Sequence, residues 1–487
     1  MKLTVHTKLD WKTVDPVESM LLFYPQGEAL PEELAELNQL LGGELDAMFA
    51  DGELKGKAGA VSHVRTNGRI GAKHLYLVGL GEAAKLNGET VRQAAGNAAR
   101  QVRGESVGVV LSADEHAIPA FEGLLLGSYT WSGKKTTPAD NKTFTAITVF
   151  AKEDVSASVQ AAKIQADAVI MARDLINEPA NLLTPVTFAE KAQEVGAAAG
   201  LTVDVLDEHA IQEKSMNLLW AVGKGSEIPP RLVVLRYQGA PESQETLALV
   251  GKGVTFDTGG YILKPEAGMG EMKTDMAGAA CVLGAVKAIA EKQLPINVMA
   301  VLALAENMIS GSAFKPSDVA TAFNGKTVEL IDTDCEGRLV LADAVAYAKH
   351  LGATRIVDTA TLTGAVTTVL GYEAASLFGN NDEFLEEVKA AGAEVGEKLW
   401  VLPNYPEYQS LIESKEADYI NYSGRNAGAI AGGVFIAAFA DDVPFVHIDM
   451  ANMSRAKATK NYQVEGGTAF STRTLIQVAE RLAQTNK

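Results

Sequence analysis

Short apolar segments alternate with helical patterns along most of the chain, and this alternation restricts the fold more than any other feature. In the second half, the segments that predict strands and the helical patterns between them are residues 231–236, 246–250, 277–292, 296–304, 339–350, 355–358 and 445–449. Strands that alternate with helices predict a mostly parallel sheet covered by helices, an α/β/α architecture. In such sheets the functional site commonly lies at the carboxyl ends of strands.

The first 150 residues carry a smaller version of the same α/β pattern. Strands are predicted at 75–81, 107–111 and 144–150, with a helix at 90–101. A long amphipathic helix at 156–177 is suited to joining two domains, and 487 residues exceed what one hydrophobic core usually supports. The predicted organisation is an N-terminal α/β domain (1–152), a connecting helix (153–176) and a catalytic domain (177–487).

Charge and composition exclude several classes of function. Lys and Arg number 43 against 61 Asp and Glu, a formal net charge of −18, which disfavours coating of nucleic acid or of an anionic membrane. The N-terminus lacks an apolar core of signal-peptide length, and no apolar run approaches the ~20 residues of a membrane span. The two cysteines, Cys281 and Cys335, suggest no disulfide framework, so a reducing cytoplasm is the expected compartment.

Residues 332–339 (DTDCEGRL) place three carboxylates and an arginine within seven residues, directly before a helical pattern. If the stretch is extended, Asp334, Glu336 and Arg338 project to one side. Carboxylates so close raise each other's pKa unless a positive group lies between them, and a divalent metal suits that position. The alternative is a solvated acidic turn near the positive end of a helix dipole.

A second group of charged residues follows the strand predicted at 246–250. Lys252 and Asp257 are followed by two glycines, then by Lys264, and Asp275 stands at the start of a helical pattern. Glycine permits backbone conformations that other residues resist, so the chain can fold tightly around a bound group. We expect this group to converge with the acidic stretch. A plain Lys252–Asp257 salt bridge is the alternative.

The four carboxylates of the two groups exceed the needs of one ion and suggest a pair of divalent ions; they are Asp257, Asp275, Asp334 and Glu336. Two dications neutralise them. No histidine lies near either group, so a His-based zinc site is absent, while magnesium, manganese and zinc all suit such oxygen ligands. Lys252 could bind a metal only as the neutral amine.

Such a centre suits hydrolysis of an amide. A hydroxide held between two metals attacks a carbonyl that the metals polarise. Lys264 stabilises the oxyanion, and Arg338 is a second cation that can face the substrate. One ion can also bind a free α-amine, which confines cleavage to the first residue of a peptide.

Several sequence blocks together resemble the cytosolic leucyl aminopeptidases. The main ones are residues 252–260 (KGVTFDTGG), 264–265 (KP), 272–276 (MKTDM) and 332–339 (DTDCEGRL), and further similarity lies at 177–181, 306–308, 360–364, 447–449 and 472–475. The resemblance is strong from about residue 170 onward and weaker in the first 150 residues. It implies release of the N-terminal residue from peptides, with leucine and other hydrophobic residues favoured. It also implies two Mn²⁺ or Zn²⁺ ions per subunit and a homohexamer made of two trimers.

The resemblance also implies metal-binding roles by position. Asp257 and Glu336 bridge the two metals. Lys252 and Asp275 complete one metal site, and Asp334 completes the other, partly through its backbone carbonyl.

The remaining roles that the resemblance implies concern the substrate. Lys264 lies beside the substrate carbonyl. Arg338 holds a bicarbonate ion, which in this family accepts a proton from the nucleophilic water. Met272, Thr361 and Gly364 line the pocket for the first side chain.

The chain departs from the family pattern at four positions. Asp332 stands where the family usually has Asn, which adds a negative charge beside the metals. Cys335 replaces a small Ala, and we interpret it as a small buried filler rather than a third soft ligand. Ala469 and Ser471 stand where Gly and Pro are usual, which puts the local backbone in question.

Two other functions fit parts of the sequence. Some members of the family also bind DNA, but the charge of −18 makes DNA binding unlikely here. A metal-dependent phosphatase or nuclease also uses paired acidic sites, but the chain lacks a glycine-rich phosphate loop and the His-rich ligand sets common in such enzymes. Membrane partners are not expected.

Overall fold

The computed structural model describes residues 1–12, 17–137 and 143–485. The chain divides into two units by its internal contacts. The first comprises Met1–Asp167 with Lys457–Glu465, and the second Ala168–Ala456 with Gly466–Lys487. Among the described residues, no helix is both long and apolar enough to cross a membrane.

The first unit is built on a six-stranded sheet. Its strands and helices are β1 (Lys2–His6), β2 (Val17–Tyr24), α1 (Ala35–Leu40), α2 (Glu44–Ala50), β3 (Val61–Arg65), β4 (Ala72–Gly79), α3 (Gly88–Ala99), β5 (Ser106–Val110), α4 (Ala117–Ser128) and β6 (Ala146–Phe150). The strand order is β1-β6-β5-β2-β4-β3. Every pairing is parallel except that of β3 with β4. The strands and the helix predicted here are confirmed to within a few residues.

A 22-residue helix, α5 (Ser156–Asn177), follows β6 and has the predicted bounds. The boundary between the two units falls inside it, at Asp167.

The second unit is built on an eight-stranded sheet. Its strands are β7 (Thr202–Leu206), β8 (Arg231–Gln238), β9 (Thr246–Asp257), β10 (Asn297–Asn307), β13 (Arg355–Ala360), β14 (Ala375–Gly379), β15 (Leu399–Val401) and β17 (Phe445–Asp449), in the order β15-β14-β17-β13-β9-β10-β8-β7. The central pairings β17–β13, β13–β9 and β9–β10 are parallel. Smaller sheets are formed by β11 (Asp318–Thr321), β12 (Thr327–Leu330) and β16 (Tyr419–Ile420), and by β18 (Arg455–Ala456) and β19 (Gly466–Gly467).

Helices cover this sheet. They are α6 (Pro185–Ala198), α7 (Glu208–Glu213), α8 (Asn217–Gly223), α9 (Glu266–Met269), α10 (Ala277–Glu291), α11 (Gly337–His350), α12 (Ala365–Leu370), α13 (Asp382–Glu394), α14 (Gly428–Ala440) and α15 (Thr472–Thr485). One buried apolar cluster joins α8, α11 and α14 to alternate residues of β9 and β10, such as Val250 and Val301. A second group, α10 with α13 and α15, contacts the sheet through α10 and α13. The predicted α/β class, with a mostly parallel sheet in the larger unit, is confirmed.

The turn before α15 has an unusual backbone. Ala469 has φ +56° and Ser471 has φ +79°, both in the left-handed region. Glycine adopts such angles without strain, whereas a proline ring holds φ near −65°. Ser471 therefore has a conformation that a proline at this position could not share.

Candidate active site

A bulge in the central strand β9 brings its two charged residues to one face. Residues five apart on a regular strand point to opposite faces of the sheet. In β9, however, Val254 pairs with Ala305 and Phe256 pairs with Glu306, so one extra residue interrupts the register with β10. The extra residue restores Asp257 to the face that carries Lys252. Both side chains are buried.

The ammonium group of Lys252 is fully bonded inside the protein. Its Nζ lies 2.8 Å from Asp275 Oδ2 and 2.8 Å from Glu336 Oε1, and it donates a hydrogen bond of 2.8 Å to the backbone oxygen of Thr361. Room for it depends on Gly337, because a Cβ there would lie 2.6 Å from Nζ. The predicted Lys252 and Asp275 thus meet one end of the acidic stretch.

Lys264 reaches the other two carboxylates of the cluster, Asp257 and Asp334, from a tight turn. Gly259 and Gly260 both have positive φ, and a Cβ on Gly259 would lie 2.9 Å from Asp334 Oδ1. The turn returns the chain so that Lys264 Nζ lies 2.7 Å from Asp257 Oδ2 and forms an ion pair with Asp334. The expectation that the two charged groups converge is therefore correct for all six side chains.

Oxygen atoms at the centre of the cluster are left without hydrogen bonds. Asp257, Asp334 and Glu336 each offer one carboxylate oxygen within 4.8 Å of the others. Glu336 Oε2 is buried and has no hydrogen-bond partner among the described residues. A buried acceptor without a donor is costly, and its usual explanation is an ion or another bound group.

Burial and crowding raise the pKa of the carboxyl groups. Burial raises the pKa of Asp257, and the charge of Glu336 raises it further. Burial raises the pKa of Asp275 well above its usual range although Lys252 opposes this. Burial likewise raises the pKa of Asp334 against the influence of Lys264. Additional positive charge would therefore be stabilised at this site.

The pKa values of the two lysines are also raised, which for an amine favours the charged form. Burial disfavours the charged form of Lys252, but Asp275 and Glu336 outweigh burial and raise its pKa. The same balance, led by Asp257, raises the pKa of Lys264. With carboxylates alone around them, both lysines are ammonium ions.

The acidic stretch is not extended, so that hypothesis was wrong. Glu336 has helical angles (φ −72°, ψ −34°), and α11 begins at Gly337, which places Arg338 in its first turn. The side chain of Asn421, and not a neighbouring strand, holds residues 331–332 in place. It accepts the N–H of Ile331 at 2.8 Å and donates to the backbone oxygen of Asp332 at 2.7 Å.

Arg338 is buried close to this anchor. Its Nη1 donates to the backbone oxygen of Asn421 at 2.7 Å, while its Nε has no hydrogen-bond partner among the described residues. A buried guanidinium N–H without an acceptor can bind an anion.

Three buried polar residues support the site, and our sequence analysis gave none of them a role. Asn307, beside Asp257 in the β9–β10 pairing, donates to Asp257 Oδ1 at 2.8 Å. Asp449 accepts the hydroxyl of Thr363 at 2.6 Å and so fixes the loop after β13. Asn421 is the third. Asn307 and Asp449 lie in blocks that resemble the family, which was the available signal, whereas Asn421 lies outside all of them.

The predicted pocket residues lie at different distances from the cluster. Thr361 is part of it, because its hydroxyl donates to Asp275 Oδ1 at 2.6 Å. Met272 is half-buried, and its backbone carbonyl accepts the N–H of Asp275 at 3.2 Å. Gly364 is exposed immediately before α12.

The two departures nearest the cluster have modest local effects. Asp332 accepts the backbone N–H of Asp334 at 2.8 Å, which an Asn side chain could also do. Burial raises the pKa of the Cys335 thiol to about 12. Among the described residues, the group that could hold a metal comprises Asp257, Asp334 and Glu336 and not Cys335, which favours the interpretation of Cys335 as a filler.

Comparison with known families agrees with this geometry. Residues 170–476 match the catalytic domain of the cytosol aminopeptidase family, and residues 20–138 match the N-terminal domain of the same family. The chain belongs to the cytosol aminopeptidase family. The resemblance inferred from the motifs is thereby confirmed, and the chain is a peptidase of a metal-dependent aminopeptidase family.

Individual members of the family cover nearly the whole chain. A probable cytosol aminopeptidase of Alkaliphilus metalliredigens is 39% identical over 476 residues, 94% of this chain and 95% of its own. One of Solibacter usitatus is 41% identical over 440 residues, 89% and 92% of the two chains.

Solved structures of two enzymes share the fold. The bottromycin maturation enzyme BotP in complex with Mn is 32% identical, with a TM-score of 0.86 over 96% of this chain and 100% of that one. A mutant of tomato leucine aminopeptidase is 30% identical, with a TM-score of 0.88 over 99% and 96% of the two chains.

Proposed function

We propose that this cytosol aminopeptidase uses two divalent metal ions to release the N-terminal residue of peptides, with leucine and other hydrophobic residues favoured. The observation that carries the proposal is the convergence of Asp257, Asp334 and Glu336, with oxygens within 4.8 Å of one another, beside the ammonium group of Lys264. Manganese and zinc are the metals we propose, and the Mn complex of BotP supports the first.

The residues present fit such a metal pair. Asp257 and Glu336 would be shared by both ions, Lys252 and Asp275 would complete one site, and Asp334 the other. The unpaired oxygen of Glu336 and the raised pKa values of Asp257 and Asp275 both indicate a need for added positive charge. Ligation by Lys252 requires its neutral amine, so metal binding would release a proton and strengthen as the pH rises.

Bound metals supply Lewis-acid polarisation of the carbonyl and a water of lowered pKa. The protein supplies the remaining charge. The surrounding carboxylates, led by Asp257, outweigh burial and raise the pKa of Lys264, which favours its ammonium form. Its ammonium group can therefore donate a hydrogen bond to the oxyanion that forms from the scissile carbonyl.

Arg338 is proposed to hold a bicarbonate ion. Its Nη1 is used by the Asn421 carbonyl, which fixes the guanidinium plane, and its buried Nε is left for an anion. The first side chain of the peptide is proposed to contact Met272, Thr361 and Gly364.

Organisation beyond the site is also proposed by analogy with the family. We propose a homohexamer of two trimers, a cytoplasmic location, and a division into an N-terminal domain (1–152), a connecting helix (153–176) and a catalytic domain (177–487). Peptides are the proposed partners, and DNA is not.

The test combines metal analysis with a substrate panel. Protein stripped of metal and then reloaded with Mn²⁺ or Zn²⁺ should hydrolyse leucine anilide with about two ions bound per chain. Acetylated leucine anilide should resist cleavage because the free α-amine is blocked. Ready cleavage of the acetylated substrate, or activity on nitrophenyl phosphate without activity on leucine anilide, would refute the proposal.

A further inference from the structure

Three consecutive large apolar side chains are exposed immediately before Lys264. Tyr261 is 48% exposed, Ile262 41% and Leu263 57%. We call these three residues the apolar ledge. Isolated exposed apolar residues are ordinary, but a contiguous group at the edge of a catalytic cluster marks a binding surface.

The backbone of the apolar ledge is fixed. The N–H of Ile262 donates to Thr333 Oγ1 at 2.8 Å, and the N–H of Lys264 donates to the backbone oxygen of Thr258 at 2.9 Å. The Tyr261 hydroxyl donates to the backbone oxygen of Ser310 at 2.8 Å. These bonds hold the backbone of the apolar ledge and the Tyr261 side chain in place, so a ligand that binds here costs the protein little backbone conformational entropy.

The apolar ledge lies at one end of the carboxylate cluster. Asp275 and Thr361 form the other end, where Lys252 binds both of them. The residues that support the ledge, Thr333 and the turn at Gly259, adjoin Asp334, since Thr333 Oγ1 donates to the Gly259 carbonyl at 2.6 Å. Lys264 belongs to this second end because it pairs with Asp334.

This arrangement defines the path of a peptide. With its first side chain near Thr361 and its scissile carbonyl at Lys264, the peptide has crossed the cluster from one end to the other. The next Cα is about 3.8 Å further along an extended chain. The second residue therefore emerges beside Lys264, next to Leu263.

The geometry points to the apolar ledge as the binding surface for the side chain that follows the scissile bond, which makes the enzyme selective for peptides with a large apolar second residue. This inference rests on the proposed function.

The experiment compares tripeptides that differ at the second residue. The ratio of kcat/KM for Leu-Phe-Gly to that for Leu-Gly-Gly is measured, with leucinamide as a substrate that lacks a second residue. We expect a ratio of about ten in the wild type, because apolar contacts discriminate by about that factor. Leu263→Asn should bring the ratio close to one, while Leu263→Met should keep it. Trp400→Asn is the matched control, since Trp400 is exposed on β15 at the far edge of the sheet.

The outcomes separate the two proposals. Hydrolysis of leucinamide with an unchanged tripeptide ratio in Leu263→Asn would overturn the apolar ledge alone. An unchanged ratio together with a smaller oligomer in light scattering would identify the ledge as a subunit interface and also overturn the inference. If no wild-type preparation reloaded with metal cleaves leucinamide or either tripeptide, the proposed function fails and the ledge with it.

Discussion

Asp343 and the active-site carboxylates all lie in the second unit but differ in how they are bonded. Asp343, on α11, is fully buried, and all its bonds are to backbone amides. Its Oδ2 accepts the N–H groups of Leu218 and Leu219 at 2.9 Å each, and its Oδ1 accepts that of Phe323 at 2.8 Å. It thereby caps the start of α8, whose own N-cap residue, Met216, makes no side-chain cap hydrogen bond.

The active-site carboxylates are instead paired with the ammonium groups of Lys252 and Lys264. Glu336 has one oxygen 2.8 Å from Lys252 and one buried oxygen with no hydrogen-bond partner among the described residues. Burial raises the pKa of Asp343 to about 7, and it also raises the pKa of Asp257 and Asp275. A raised pKa therefore does not separate a structural carboxylate from a functional one. The two kinds of carboxylate are separated by their hydrogen bonding, because a functional carboxylate has an oxygen without a donor and lies beside lysine ammonium groups.

The largest expected effect is that of removing Glu336. Glu336→Ala should lower kcat/KM for leucine anilide by about three orders of magnitude or more, because the proposed mechanism depends on metals that this carboxylate would hold. Bound metal, measured by elemental analysis, should fall in parallel. Circular dichroism should show the fold retained. Asp343→Asn is the matched control, a carboxylate on the same helix whose loss should leave metal content unchanged. Full activity in Glu336→Ala would contradict the assignment.

Removal of Lys264 should have a smaller and different effect. Lys264→Ala should reduce kcat by about 10²- to 10³-fold, the usual loss when one donor to an oxyanion is removed. Lys264 pairs with Asp257 and Asp334. Metal content should nevertheless change little, because Lys264 is not a proposed ligand. Loss of metal with unchanged turnover per bound ion would show that Lys264 supports the metal site rather than the transition state.

Removal of Asp343 should affect stability and not chemistry. Asp343→Ala leaves three buried backbone N–H groups without an acceptor, and we expect a loss of about 3 kcal/mol in the free energy of unfolding. Urea denaturation followed by circular dichroism measures the loss of stability. Turnover per folded molecule, compared in parallel, should be unchanged. If Asp343→Ala has normal stability but reduced metal content, Asp343 belongs with the functional carboxylates, and the contrast between it and the active-site carboxylates is wrong.

Much of the site could be predicted from sequence because its residues lie in short blocks with recognisable chemistry. The alternation of strands and helices indicated the α/β class, and the charged residues near 252–275 and 332–339 indicated a shared site. The bulge that turns Asp257 toward Lys252 could not be predicted, because it is defined by the pairing with β10.

Contacts that support the site from distant parts of the chain could not be predicted from the sequence either. Asn421 contacts Ile331 across 90 residues and lies in no motif, so only the folded chain shows its role. The extended conformation considered for residues 334–338 was wrong because α11 begins at Gly337, and helical geometry replaces the period of two on which that hypothesis depended.

The smallest expected effect is a pH dependence of stability that belongs to Asp343. Its pKa is raised by burial, against its three backbone hydrogen bonds, from 3.8 to about 7 in the folded protein. Between those values the folded state binds a proton that the unfolded state has released. The contribution to stability is therefore complete below about pH 4 and is lost as the pH rises toward 7.

This dependence can be isolated by subtraction. The difference in Tm between wild type and Asp343→Asn, measured on metal-free protein from pH 4.5 to 8, should shift by a few degrees in favour of the wild type at the acid end, at about 1–2 °C for each kcal/mol in a chain of this size. Metal-free protein is used because the proposed ligation by Lys252 would add a proton release of its own. A flat difference would mean that the three backbone amides keep Asp343 ionised throughout, and a raised pKa would then separate the active-site carboxylates from Asp343 after all.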